Sequence, residues 1–183
     1  MFEIERFIED CRAAMAGDPG TGAVGEAARR AVGDPGAVLK ALGEPKRAEI
    51  QKLHHTPELT ILNVVWAPYM TLLPHNHNIW AVIAVYTGRE DNIFWRRVPG
   101  GSHGRVEAAG AKDLGAGDVA PLGRDIIHSV TNPIPRLTAA IHIYGGDFFA
   151  PGRSEWDPET LAEQDLDPAN TLRRFEEANA RLA

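Results

Sequence analysis

Short strand-like runs fill the middle of the chain, from about Glu58 to Phe149, and they restrict its possible folds more than any other feature. Each run is rich in Val, Ile, Trp, Tyr or Phe, and Gly, Pro, Asp or Asn separates it from the next. The runs read "LTILNVVW", "NIWAVIAVY", "NIFWRRV", "GRVEAAG", "DVAPL", "IIHSVTN" and "LTAAIHIYG". Many short strands divided by turn residues predict an antiparallel sandwich or barrel.

Helical spacing of apolar residues replaces this pattern on both sides. It extends from Phe2 to about Leu53, with a break at "GDPG", and it returns from Glu159 to Ala183. We therefore predict one structural domain with three parts. These are an N-terminal helical segment at 1–55 packed on the barrel, the barrel at 56–150, and a C-terminal extension with a helix at 151–183.

The charge of the chain argues against two classes of partner. Its 183 residues carry a formal net charge of -6, which gives no field to attract nucleic acid or anionic lipid. The N-terminus, "MFEIERFIED", has charges where a signal peptide needs a continuous apolar stretch, and no later apolar run is long enough to span a bilayer. We therefore expect a soluble, cytoplasmic protein that binds neither nucleic acid nor membrane, while its oligomeric state stays open.

Two histidines stand one residue apart in "PHNHNIWAVIAVYTG", residues 74–88. Residues two apart in a strand point to the same face, so we expect His75 and His77 to project together. Two adjacent imidazoles form a bidentate clamp for a metal ion. Cys11 is the only cysteine of the chain, so any further ligand must be a histidine or a carboxylate.

A second stretch, "GDVAPLGRDIIHSVTN", places His128 and Asn132 after a glycine-to-proline turn. The two stretches together resemble the two sequence motifs of the cupin superfamily, and the resemblance covers roughly residues 60–149. It implies an all-β fold, the double-stranded β-helix or cupin jelly-roll barrel, here with N-terminal helices and a C-terminal helix. It also implies that His75, His77 and His128 point into the barrel as the metal ligands.

The chain departs from the cupin pattern at one ligand position. Many cupins carry a glutamate four or five residues after the second histidine, where this sequence has Ala81 and Val82. Three neutral imidazoles with open positions suit Fe(II) or another divalent first-row ion. Without a negative ligand the ion keeps more of its positive charge, which favours anionic, chelating substrates. We therefore expect Fe(II) as the cofactor.

Within the superfamily, the segment "AAIHIYGGDFF" is similar to the cysteine dioxygenase type of thiol dioxygenase. In that family a serine, a histidine and a tyrosine alternate along a strand near the iron, and this sequence has Ala140, His142 and Tyr144. The resemblance implies that His142 orients the Tyr144 phenol, which can then donate a hydrogen bond to dioxygen or to a substrate anion. The alternative is that both residues only fill the core.

The match with this family is incomplete. Ala140 lacks the serine hydroxyl, and the family's thioether between a tyrosine and a cysteine cannot form because Cys11 lies far from the motif in sequence. The implied function is a mononuclear non-haem iron dioxygenase. Its partners are O2 and a small thiol, such as cysteine or 3-mercaptopropionate, which it oxidises to a sulfinate.

The residue that binds the substrate carboxylate is harder to assign. The family implies an arginine, or in related bacterial enzymes a glutamine, upstream of the strand that ends in Trp. The comparable stretch here, "EPKRAEIQKLHHTPE", offers Arg47, Gln51 and Lys52. Arg96 and Arg97 are a second possibility, because one of two adjacent strand residues faces inward if the other faces out. We predict substrate binding by Arg96, Arg97 and Gln51, with a solvated barrel exterior as the alternative for the two arginines.

Two other functions stay open at this point. A cupin with three histidine ligands can act as a dioxygenase on a β-diketone or a hydroxylated aromatic acid. A cupin can also bind a metal or ligand without turnover, as a sensor or partner module. Among the remaining charged residues, we interpret Glu90 and Asp91, beside a β-turn, as solubilising rather than catalytic.

Overall fold

Two antiparallel sheets form the centre of the computed structural model, which describes residues 1–182. The strands are β1 (Glu49–His55), β2 (Thr60–Trp66), β3 (Thr71–Asn76), β4 (Ala81–Thr87), β5 (Arg89–Arg97), β6 (Val106–Gly115), β7 (Val119–Leu122), β8 (Ile127–Thr131), β9 (Thr138–Tyr144), β10 (Ser154–Trp156) and β11 (Glu163–Asp165). The helices are α1 (Ile4–Gly17), α2 (Thr21–Val32), α3 (Pro35–Leu42) and α4 (Pro168–Ala180). None of these helices is both long enough and apolar enough to cross a membrane.

The order of the strands identifies the architecture. The five-stranded sheet has the order β1-β2-β9-β4-β7, and the six-stranded sheet has the order β11-β10-β3-β8-β5-β6. From β2 to β5 each successive strand lies in the opposite sheet, and β6 to β9 return along the same path. This winding of one strand pair around a barrel is the jelly-roll arrangement. The predicted double-stranded β-helix with N-terminal helices and a C-terminal helix is therefore confirmed.

The N-terminal helices cover the outside of the five-stranded sheet. Apolar side chains of α1, α2 and α3 pack there against outward-facing residues of β2, β4 and β9, and we call this cluster the outer layer. Its members include Phe7, Val24, Val32, Ile61, Val82, Ile141 and Ile143. The five-stranded sheet is apolar on both faces, so each face must be buried against another layer. The helices bury its outer face.

The space between the two sheets is the barrel interior. Here β9 contributes Ala140, His142 and Tyr144, which alternate with the outer-layer residues of the same strand. Helix α4 closes one end of this space. Its Phe175 ring lies 5.5 Å from that of Trp66, and the Asn179 side chain hydrogen-bonds both to the Ala48 N–H and to its carbonyl.

Two flanking segments differ from the helical pattern predicted for them. Helix α3 ends at Leu42, and residues 49–55, read as the end of a helical stretch, form β1 along the edge of the five-stranded sheet. Gly43, with φ of 87°, adopts a backbone conformation that a helix cannot continue. At the other end, residues 163–165 form β11, and α4 begins only at Pro168, after its capping residue Asp167.

Candidate metal centre and cavity

Three histidines from two neighbouring strands converge inside the barrel. His75 lies on β3 and His77 directly follows that strand, while His128 lies on β8, where it pairs with His75 in the strand register. The Nε2 atom of His77 is 3.2 Å from the Nε2 atoms of both His75 and His128. Two nitrogen ligands that each lie about 2 Å from one metal ion are about 3 Å apart. The three imidazoles are thus spaced as ligands of one ion.

Hydrogen bonds at Nδ1 of His75 and His128 decide which nitrogen of each ring keeps a free lone pair. His75 Nδ1 lies 2.9 Å from the Leu73 carbonyl oxygen, and His128 Nδ1 lies 2.7 Å from Oδ1 of Asn92. Both partners only accept hydrogen bonds, so each Nδ1 carries the hydrogen and each Nε2 keeps a free lone pair. Facing lone pairs repel one another, and a cation among them removes that repulsion.

The protonation state of the three rings also suits a metal ion. Burial lowers the pKa of His75 to about 4. Burial, together with the neighbouring histidines, lowers the pKa of His77 and His128 well below the ordinary value. All three rings are therefore neutral near pH 7, as ligation requires. In the described part of the chain these residues form the one cluster of histidine, cysteine or carboxylate side chains arranged to hold a metal ion.

A buried carboxylate, Glu90, organises the polar groups behind the three histidines. Trp66 Nε1 donates to its Oε2 over 2.8 Å, and His142 Nε2 lies 3.2 Å from the same oxygen. Asn92 Nδ2 donates to Oε1 over 3.1 Å. Burial raises the pKa of Glu90, but His142 and the donated hydrogen bonds outweigh burial and lower that pKa below its ordinary value. The expectation that Glu90 is a solubilising surface residue is wrong, since its exposure is 0%.

Tyr144 is connected to Glu90 through His142. Because Glu90 accepts only, His142 Nε2 carries its hydrogen, and the opposite ring nitrogen, Nδ1, lies 3.2 Å from the Tyr144 hydroxyl. With the ring hydrogen on Nε2, His142 Nδ1 accepts the hydrogen bond that the phenol donates. Burial raises the pKa of the Tyr144 phenol, so the hydroxyl keeps its proton.

The three histidines and Tyr144 line a cavity of about 210 Å³. Its walls are mostly apolar away from His75, His77 and His128, which we call the candidate metal centre, and α4 contributes to one wall. The apolar lining includes Leu62, Val64, Leu72, Val130, Phe148 and Leu172. A cavity with this lining suits a small organic molecule that is held by a few polar groups at one end.

Arg153 brings the principal positive charge to this lining. Its guanidinium lies 4.2 Å from the centre of the Phe148 ring, and within residues 1–182 its side chain forms no hydrogen bond or ion pair. Burial lowers the pKa of this guanidinium, although Tyr144 and Asp147 nearby counteract the effect. Guanidinium donors in a largely buried place need acceptors, and an anion in the cavity can supply them.

The structure brings together five of the eight residues that the sequence singled out. His75, His77, His128, His142 and Tyr144 all line the cavity. The arrangement inside the barrel follows from strand alternation, since all of them lie on or next to β3, β8 and β9.

The three residues predicted to bind substrate, Arg96, Arg97 and Gln51, lie outside the cavity lining. Arg96 pairs with Glu107 and Arg97 with Glu163, both at exposed positions, and Gln51 Oε1 accepts a hydrogen bond from Asn63. The expectation that one arginine faces inward does not hold because the last β5–β8 pair is Trp95 with Ile127. From Arg96 onward β5 pairs only with β6, and both arginine side chains are exposed.

The sequence patterns do not indicate Arg153, and they predict a surface position for Glu90 that the structure contradicts. A signal for Glu90 was present, because Glu90, Asn92 and Phe94 alternate along β5 and so share one face. No comparable local signal exists for Arg153. It lies just before a three-residue strand, and only the tertiary fold directs it to the metal centre.

The turn after Tyr144 passes very close to a tryptophan. Gly145 N donates to the Trp80 carbonyl over 3.1 Å, and a Cβ atom at position 145 would lie 1.9 Å from Cε2 of the Trp80 indole. Only glycine fits there without displacing the ring. This contact fixes the end of β9 and with it the backbone that carries Tyr144.

Known proteins resemble this chain in structure and not in sequence. No protein-family model matches the sequence, and a comparison with curated proteins finds no match. The solved structures similar to this chain include cupin proteins. One is an RmlC-like cupin with a double-stranded β-helix fold from Methanocaldococcus jannaschii, with 11% identity, a TM-score of 0.47, and coverage of 57% of this chain and 85% of that one.

Two similar structures belong to enzymes. The DMSP lyase of Ruegeria pomeroyi DSS-3 is 17% identical with a TM-score of 0.47, over 62% of this chain and 53% of that one. The oxalate decarboxylase of Bacillus subtilis is 14% identical with a TM-score of 0.41, over 63% of this chain and only 27% of that one. At such identities a shared backbone path carries no information about substrate or reaction.

Proposed function

We propose that this protein is a mononuclear non-haem Fe(II) dioxygenase that oxidises a small thiol carrying a carboxylate to its sulfinate. One observation supports the proposal above all others. Three neutral imidazoles, with no carboxylate ligand among residues 1–182, face a small cavity that is also lined by the Arg153 guanidinium and the phenol of Tyr144. A ligand set of this kind leaves positions open for substrate, and it favours an anionic one.

Bound Fe(II) would supply the open coordination positions and the redox chemistry that allow a thiolate to react with O2, and coordination would lower the pKa of the thiol. In the overall reaction both atoms of O2 are added to the sulfur. The sulfur loses four electrons and O2 accepts four, so no external reductant is required. His75, His77 and His128 would hold the ion.

Arg153 would bind the substrate carboxylate. Its guanidinium offers several N–H donors in a plane, which matches the geometry of a carboxylate. Phe148 lies against one face of the guanidinium and restricts its movement. A thiol substrate bound at both ends, by sulfur at the metal centre and by carboxylate at Arg153, would be held in one orientation.

Tyr144 and His142 would take up the proton that the thiol releases. The phenol donates its hydrogen to His142 Nδ1, so lone pairs of its oxygen remain free to accept a proton. If that oxygen accepts the thiol proton while its own proton passes to His142 Nδ1, the phenol stays neutral and the imidazole becomes positive. Glu90, 3.2 Å from His142 Nε2, would stabilise this charge. Ala140 has no hydroxyl to offer the imidazole, and Glu90 is the side chain that pairs with its Nε2.

The proposed reaction takes place in the cytoplasm. Small thiols are kept reduced in the cytoplasm, and there we place the reaction. The cysteine of the chain, Cys11, is buried in the outer layer and takes no part in it.

An oxygen-uptake screen tests the proposed function. Protein purified without oxygen and loaded with Fe(II) is offered cysteine, 3-mercaptopropionate, cysteamine, a β-diketone and a hydroxylated aromatic acid. We expect equal consumption of O2 and formation of sulfinate with a thiol that carries a carboxylate, and a much slower reaction with cysteamine, which lacks one. The His128→Ala variant is the negative control.

Three results would refute thiol oxidation. Uptake with the β-diketone or the aromatic acid alone would assign the site to carbon–carbon bond cleavage. Firm Fe(II) binding with no uptake on any compound would indicate a binding protein. Failure to bind Fe(II) or any other divalent first-row ion would exclude the metal centre itself.

A further inference from the structure

We propose that Glu90, acting through Asn92, determines which ring nitrogen of His128 carries the hydrogen and thereby keeps His128 able to bind metal. The inference rests on the metal centre of the proposed function but not on the thiol reaction. It makes Glu90 and Asn92 positioning residues, which touch neither the ion nor the substrate.

Glu90 acts only as a hydrogen-bond acceptor. Trp66 Nε1, His142 Nε2 and Asn92 Nδ2 all approach its two oxygens, at 2.8, 3.2 and 3.1 Å respectively. An ionised carboxylate offers no donor. Asn92 must therefore turn its NH2 group toward Glu90.

The geometry of the Asn92 amide fixes the position of the His128 hydrogen. With its NH2 group directed to Glu90, Asn92 presents Oδ1 on the opposite side, 2.7 Å from His128 Nδ1. An amide oxygen accepts only, so His128 must carry its hydrogen on Nδ1. The lone pair of the ring is then at Nε2, the atom that faces His77 in the metal centre.

Burial and strand register prevent an alternative arrangement. Glu90 is 0% exposed, Asn92 2% and His128 1%, so solvent does not compete for these hydrogen bonds. Strand β5 pairs with β8, and Asn92 lies opposite Val130. Because Val130 is two residues from His128, the Asn92 and His128 side chains lie diagonally opposite each other on one face of the sheet.

The substitution Glu90→Gln should reverse the direction of the hydrogen bonds from position 90 to His128 while it preserves the shape of the side chain. Trp66 can only donate, so the amide oxygen of the introduced glutamine would face it and the new NH2 group would face Asn92. Two NH2 groups cannot hydrogen-bond to each other, so the Asn92 amide would rotate and present its NH2 group to His128. Nδ1 of His128 would then have to accept, which moves the ring hydrogen to Nε2, where the metal ion needs a lone pair.

A compensating substitution of Asn92 should restore the hydrogen on Nδ1 of His128. In the double variant Glu90→Gln with Asn92→Asp, the NH2 group at position 90 donates to the carboxylate at position 92. That carboxylate accepts from His128 Nδ1 as Asn92 does in the natural chain. The net charge of the pair is unchanged. Glu107→Gln, at an exposed position on β6, is the matched control for loss of one glutamate charge.

Fe(II) affinity of the full-length protein is the first measurement, by anaerobic titration of the metal alone. We expect Glu90→Gln to weaken binding about 10- to 100-fold, the usual cost of losing a partner of a metal ligand. The double variant should recover most of this loss, and Glu107→Gln should bind as the natural protein does. Unchanged affinity in a folded Glu90→Gln variant, or a double variant no better than it, would overturn the inference.

Nitrogen-15 NMR of the histidine rings in the metal-free protein is the second measurement, and it does not depend on any variant being stable. We expect His128 to carry its hydrogen on Nδ1 in the natural protein and on Nε2 in Glu90→Gln. Finding the hydrogen on Nε2 of His128 in the natural protein would refute the inference directly. Because neither thiol nor O2 is present, this result is independent of whether thiol oxidation is the reaction.

Discussion

The two faces of β9 divide stability and chemistry between alternate residues of one strand. Ala139, Ile141 and Ile143 point into the outer layer, while Ala140, His142 and Tyr144 point into the barrel interior. Both sets are buried, but the first belongs to an apolar cluster and the second contains the hydrogen-bonded pair next to the three histidines. A strand of seven residues thus carries both functions because its side chains alternate.

The largest expected effect comes from the barrel interior. His128→Ala removes one of three ligands, so the variant should lose most of its metal and about 10³-fold or more in thiol oxidation. Elemental analysis and oxygen uptake measure the two losses. The fold should persist, since the substituted residue lies outside the outer layer, and a variant that kept about one iron per chain would contradict the ligand assignment.

The outer layer should respond in the opposite way. Ile141 is fully buried against the helices, so Ile141→Ala should lower the free energy of unfolding by about 2–5 kcal/mol. Denaturant titration measures this loss. The folded variant should still bind metal as tightly as the natural protein, and weaker metal binding at unchanged stability would show that the two faces are not independent.

Tyr144→Phe tests the interior face without removing a ligand. The phenol contributes a hydrogen bond and a site for a proton, so its loss should lower kcat about 10²-fold while metal content stays the same. The matched control is Tyr86→Phe, because the Tyr86 hydroxyl is also buried and donates to Asn63, but in the outer layer. Equal turnover in the two variants would reduce Tyr144 to a packing role.

Arg153→Gln should have the smallest of these effects. Hydrogen bonds to a charged group contribute roughly 1.5 kcal/mol or more, so KM for a carboxylate-bearing thiol should rise about tenfold. The reaction with cysteamine should not change. Arg96→Gln, on the outside of the barrel, is the matched control, and an equal rise in KM for that variant would return the carboxylate site to β5.

Local patterns in the sequence carry most of the fold and the metal centre. The alternation of apolar runs with turn residues indicates the barrel, the one-residue spacing of His75 and His77 indicates a pair of ligands, and the resemblance to the two cupin motifs implies His128 as the third. The first two signals act over a few residues, within one strand or one turn, where backbone geometry alone decides which side chains share a face.

The remaining contacts depend on tertiary placement. Arg153 follows a loop of glycine and proline residues, and its direction is set by the pairing of β10 with β3. Glu90 is buried because Trp66, Asn92 and His142, from three different strands, offer it donors. Of these partners only Asn92 is close to Glu90 in the sequence. Trp66 and His142 come from distant strands, and composition alone favours a solvent-exposed position for a glutamate.

Because Gly145 lies so close to Trp80, the substitutions that one position tolerates depend on the residue at the other. A larger residue at 145 has room only after the indole at 80 has been replaced by something smaller, so the order of the two genetic changes matters. Related genes that encode a bulky residue directly after the tyrosine should therefore lack the tryptophan, and a laboratory selection that starts from this chain should reach that state through position 80 first.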